Sequence, residues 1–140
     1  MTLKERWDEV QAVLVQNAET IGIPAEKIFK GDFQENIPIK PPGIMITAEA
    51  GDFVFRNDPN PFAMTITLFF ITRPVTTKGE DIAQAISDSI ALGWRAFAAL
   101  REAGLPLRYP FGAGVPPVKL DTVKGELVAS TFQAVSAFSV

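Results

Sequence analysis

Cysteine and histidine are both missing from the 140 residues. Without cysteine the chain has no disulfides, no thiolate metal site and no thiol nucleophile. Such a composition fits a reducing compartment. Without histidine it lacks the commonest general base and the commonest transition-metal ligand, and no Ser-His-Asp triad can be drawn from it. A basic cluster is missing as well: the net charge is −3, and lysine and arginine nowhere cluster. A duplex-binding protein needs a basic stripe to replace counterions, so nucleic acid is not an expected direct partner. The opening "MTLKERWDEV" lacks the apolar core of a signal peptide. No run approaches the roughly 20 apolar residues of a membrane span. The expectation is a soluble protein, made and kept in the cytoplasm.

What is present is ordinary globular material, 47% hydrophobic and 21% charged, which argues against disorder as the main state. The length suits one domain, residues 1–140. Thr2-Leu3-Lys4-Glu5 matches a capping box, in which a hydroxyl and a carboxylate satisfy free backbone N–H groups. Leu3, Trp7, Val10, Leu14 and Ala18 then recur at helical spacing, and Gly22 and Pro24 end the pattern, so a helix is expected over about 3–20. Residues 24–43 offer a short helical turn in "PAEKIFKG" and a proline-extended "NIPIKPPG". "GIMITAEAG" reads as a strand over about 43–50, with "DFVFRN" continuing it as a bent arm.

"FAMTITLFFITR" reads as a strand over about 62–73 with two different faces. Thr77-x-x-Glu80 matches a second capping box and opens a helix over about 78–103. Its apolar sector holds Ile82, Ile86, Ser89, Ile90, Gly93, Trp94, Phe97 and Leu100. Gly104 and Pro106 stop it. "VKLDTV" and "ELVASTFQAVSAFSV", joined through Lys124-Gly125, form a final hairpin. The expected fold is α+β. An antiparallel sheet of four strands or more carries two main helices on one face, in the order α-β-β-α-β-β.

Chemistry-bearing motifs are weak. The loop "FGAGVPP" has glycines but leads into prolines and a strand, not into the helix that a phosphate loop needs. Glu49, Asp52 and Asp58 lack EF-hand spacing and read as solvated turn carboxylates. With 16 acidic residues some carboxylate pair is always at hand, and no pair is singled out. Trp7 and Trp94 read as core residues. No catalytic, cofactor or metal residues are therefore expected, and function is sought in surfaces.

The strand "FAMTITLFFITR" places Phe62, Met64, Ile66, Leu68 and Phe70 on the side expected to meet the helices. Its other side ends in Phe69, Ile71 and Arg73. With helices on one face only, Phe69 and Ile71 would meet water in a lone subunit. After Glu126 the last strand carries no charge to discourage edge pairing, and it contributes Phe132 and Phe138. Exposed apolar sheet surface marks an interface. The competing reading is that residues 24–43 or 105–117 fold over it.

The run from an N-terminal amphipathic helix through "PGIMITAEAGDF", "FAMTITLFFITRP", "GEDIAQAI" and "VKLDTVKGELVASTFQAVSAFSV" is similar to the tail terminator and tail-completion proteins of long-tailed bacteriophages and prophages. The similarity is one of element order over nearly the whole chain. The second helix is long for that family, and residues 24–42 have no counterpart in it. The resemblance implies a non-enzymatic structural subunit without cofactors. Its copies would form a ring, typically a hexamer, that ends the tail tube and meets the neck proteins. Localisation would be the host cytoplasm during assembly and then the virion tail. The loop "AGDFVFRNDPNP" resembles the family's long hairpin loop, with Asp52, Phe53, Arg56 and Asp58 at the contact. Two rival readings remain: a monomeric acidic module of the inhibitor or immunity type, and a small-molecule-binding or enzymatic α+β domain.

Overall fold

The computed structural model describes residues 3–31, 41–53, 62–76, 78–105, 117–122 and 125–137. The first helical pattern forms α1, Leu3–Gln16, and after Asn17 the short α2, Ala18–Ile21. The expected single helix is thus interrupted at Asn17, whose side-chain amide donates to the Val13 carbonyl and competes with the backbone ladder there. Gly22 then ends α2 in the left-handed region, φ 96°, where glycine carries no Cβ penalty. The short turn expected in "PAEKIFKG" is a 3₁₀ turn, Ala25–Lys27, and it leads directly into β1, Ile28–Lys30.

The remaining elements are β2 (Gly43–Phe53), β3 (Phe62–Thr72), α3 (Gly79–Glu102), β4 (Pro117–Thr122) and β5 (Gly125–Ala137). The sheet runs β1-β2-β3-β5-β4. β1 lies parallel to β2, with Ile28 opposite Ile44, while the other pairings are antiparallel. The fold is α+β as expected, but the sheet is five-stranded and mixed, not purely antiparallel. The reason is β1: three residues that follow a turn leave no period to read, and the return to β2 is long enough to allow parallel pairing. The bend expected past the glycine of "GIMITAEAG" is a register irregularity between Ala50 and Phe53.

One core joins the three helices to one side of the sheet. Val10, Leu14 and Ile21 pack with Ile44, Ile46, Ile66, Leu68 and Phe70, and α3 adds Leu92, Ala96 and Leu100. Trp7 lies at the margin, and its indole N–H donates to the Ile46 carbonyl at 3.0 Å. Lys30 sits over the Trp7 ring and pairs with Asp8, tying α1 to the β1 edge.

α3 is held to β3 by two reciprocal hydroxyl bonds. The Thr72 hydroxyl donates to the Ala85 carbonyl of the helix. One turn later, the Ser89 hydroxyl donates to the Phe70 carbonyl of the strand. A carbonyl has two lone pairs, so each bond adds to the backbone ladder without replacing a rung. Ser89→Ala is expected to lower unfolding free energy by about 1 kcal/mol. Urea denaturation followed by circular dichroism measures this, and an unchanged midpoint would remove the tie from the account.

The start of α3 also differs from expectation. Lys78 is the N-cap and contributes no side-chain cap bond. Thr77, assigned to the capping box, lies outside the described residues, as does Thr2 of the first box. Thr76 instead accepts from the Lys78 N–H and bonds Asp81. A threonine and a first-turn carboxylate still meet, one residue displaced on each side. The far end closes as expected on Gly104, φ 69°.

Candidate functional site

The far side of the sheet was expected to be exposed at Phe69 and Ile71. It is not: within one chain Phe69 retains 7% of its accessible surface and Ile71 0%. Both join Met45 in a second, smaller core, with Phe29 of β1 packed against it. The strand unnoticed in the sequence thus brings an aromatic ring to this side. The expectation that water meets these two residues in a lone subunit is corrected. They are structural here.

Arg73 is exposed just beyond β3. Asp52 lies within the register irregularity of β2 and Phe53 ends the strand beyond it, but their side chains lie outside the described residues. Phe132 stands in β5 at the register position of Leu68, a helix-side residue. Arg56, Asp58 and Phe138 lie outside the described residues. Of the candidates whose side chains are described, the structure brings Phe69 and Ile71 together, and it brings them into a core.

A different apolar surface is present, on α3. The buried stripe of this helix is Ala85, Ser89, Leu92, Gly93, Ala96, Ala99 and Leu100. These residues are mostly small, and they let the helix lie close to the sheet. The bulky residues of the expected sector fall along one side of that stripe. Ile86 and Phe97 are half-buried, Ile90 is 37% exposed and Trp94 is 60% exposed. The Trp94 and Phe97 rings meet edge to face, with centroids 6.1 Å apart. Trp94 was expected in the core and is instead exposed.

The opposite flank of α3 borders a crevice of about 540 Å³. α3 contributes Asp88, Ala91, Leu92 and Arg95 to its lining. Gly22 and Ile23 come from the end of α2, and Pro41 and Pro42 from the approach to β2. Thr72 and Arg73 supply the wall at the end of β3. The Arg95 Nε–H donates to the Ile21 carbonyl at 2.6 Å. That bond caps the last turn of α2 and fixes the guanidinium at the crevice. Sequence reading missed this site because its residues come from four separate segments and match no motif.

Among the described residues, no three acidic side chains come together to hold a metal ion. No helix among them is long and apolar enough to cross a membrane. Neither a protein-family model nor a curated protein sequence matches the chain.

Proposed function

We propose that the chain is a non-enzymatic structural subunit of a phage or prophage tail, assembling into a ring that ends the tail tube and meets the neck proteins. The observation that carries this reading is the outward flank of α3, where Trp94 is 60% and Ile90 37% exposed beside the buried stripe. Exposed apolar side chains in a row on one rigid element suit a protein contact, and tryptophan is among the residues that carry most binding energy at interfaces. The helix-strand order adds the likeness to tail terminators. A ring joins one patch to a different patch of the next subunit. The α3 flank supplies the first patch, and the loop with Arg56 and Asp58 is proposed to supply the second.

Trp94→Glu removes the edge contact with Phe97, so it is expected to lower stability by about 0.5–1.5 kcal/mol without unfolding the chain, and to abolish association. Sedimentation velocity over a concentration series, with and without tail tubes, checks both the parent and the variant. A parent that stays monomeric and ignores tubes overturns the proposal, as does a variant that assembles unchanged.

The burial of Phe69 and Ile71 inside one chain favours a second reading, a monomeric acidic protein-binding module. In that case the parent sediments as a monomer at every concentration, and Trp94→Glu weakens capture of a single basic partner.

A further inference from the structure

We propose that the crevice beside α3 is a binding site for a carboxylate carried on an apolar body, such as an aliphatic or aryl carboxylic acid or the C-terminus of an apolar peptide. Its volume, about 540 Å³, lies within the roughly 300–1,000 Å³ range of small-ligand sites. Ile23, Pro41, Ala91 and Leu92 provide apolar walls. Arg73 and Arg95 provide the charge. Among the described residues the ion pairs are Lys4–Asp8, Arg6–Glu9 and Lys30–Asp8. Neither crevice arginine is in one, although Asp88 lines the same crevice. The Asp88 carboxylate instead accepts from the Gln84 amide at 2.9 Å.

Arg95 is also pre-positioned. Its Nε–H is committed to the Ile21 carbonyl, which holds the guanidinium plane and leaves its terminal nitrogens for a second acceptor. A guanidinium fork matches a carboxylate in geometry, and charge-assisted bonds of this kind are the strong ones. The charge count selects the ligand further. Among the described lining residues two arginines stand against one aspartate, a single positive excess that suits a monoanion. A phosphate dianion would carry one charge more than this excess, and it would stand beside the Asp88 carboxylate. The site stands independently of the assembly reading, because it lies on the flank of α3 away from Trp94.

The test is a nitrogen-15 NMR titration of the full chain with phenylpropionate, and in parallel with phenylpropionamide, which has the same shape and no charge. The acid is expected to saturate in the millimolar range or below. It should shift the amides of residues 22–23, 72–73 and 88–95, and bind about tenfold or more tightly than the amide. Arg73→Ala is expected to weaken the acid about tenfold and leave the amide unchanged. Arg73 is exposed and outside every described ion pair, so this variant retains the fold. Asp88→Asn is expected to tighten acid binding severalfold by removing the neighbouring negative charge. Equal binding of acid and amide overturns the proposal. So does the absence of saturation, a set of shifts elsewhere on the fold, or indifference to Arg73→Ala.

Discussion

Ile71→Asp is expected to leave no cooperative unfolding transition in thermal or urea denaturation. Ile71 has no accessible surface in the chain, and it packs with Met45 and Phe69 on the side of the sheet away from the helices. A carboxylate placed there has no cationic partner among the residues of that cluster. It must either stay charged in an apolar setting or take up a proton to avoid it, and both are costly. Losses beyond about 4–5 kcal/mol belong to this class of change, and a domain has only about 5–15 kcal/mol in all. The result also separates two pictures of the sheet. If Ile71→Asp folds normally and loses only assembly, that face is open in the lone subunit and belongs to a neighbour. If it fails to fold, the second core is part of the subunit itself, as its burial indicates.

Phe70→Ala tests the other side of the same strand and should cost about 3–5 kcal/mol. Phe70 is fully buried among residues of α1, β2 and α3. Its backbone is fixed by pairing with Ile44 and Ser130 on the two flanking strands and by the Ser89 hydroxyl. A site clamped by two strands and a helix cannot collapse around a missing ring, so the cavity term stays near its full value. With a urea slope of about 2 kcal/mol per molar, the midpoint should fall by about 2 M. A fall of less than half that would mean the helix settles into the gap and that α3 is held less firmly than its two hydroxyl bonds imply.

Much of the architecture was legible because its signals are local. Strand alternation gave β3 to within a residue of its ends. Gly22 and Gly104 marked two helix ends by the one backbone conformation that other residues rarely adopt. The choice of helix face was less secure, because α3 is apolar around more than half its circumference. Periodicity favoured the sector with the largest residues. Packing favoured Ala85, Gly93, Ala96 and Ala99, since small side chains let a helix sit close to a sheet and leave the bulky ones beside the contact. That displacement moved Trp94 from core to surface and relocated the candidate interface. β1 was missed for a different reason. Three residues have too little pattern of their own, and their strand character comes from the β2 ladder they join. With β1 went Phe29, and with Phe29 part of the explanation for a buried far side. The crevice is a product of tertiary assembly alone, since Ile23, Pro41, Arg73 and Arg95 are distant in sequence.

The central strand finally has a consequence for synthesis. β3 pairs on one side with β2, a near neighbour in sequence, but on the other with β5, so that Phe69 faces Thr131. Until β5 has been made and has emerged, that edge of β3 lacks its partner strand. Any holding factor that protects emerging polypeptides has its natural target in that interval, and slowing translation ahead of Gly125 should raise the fraction of molecules lost to aggregates.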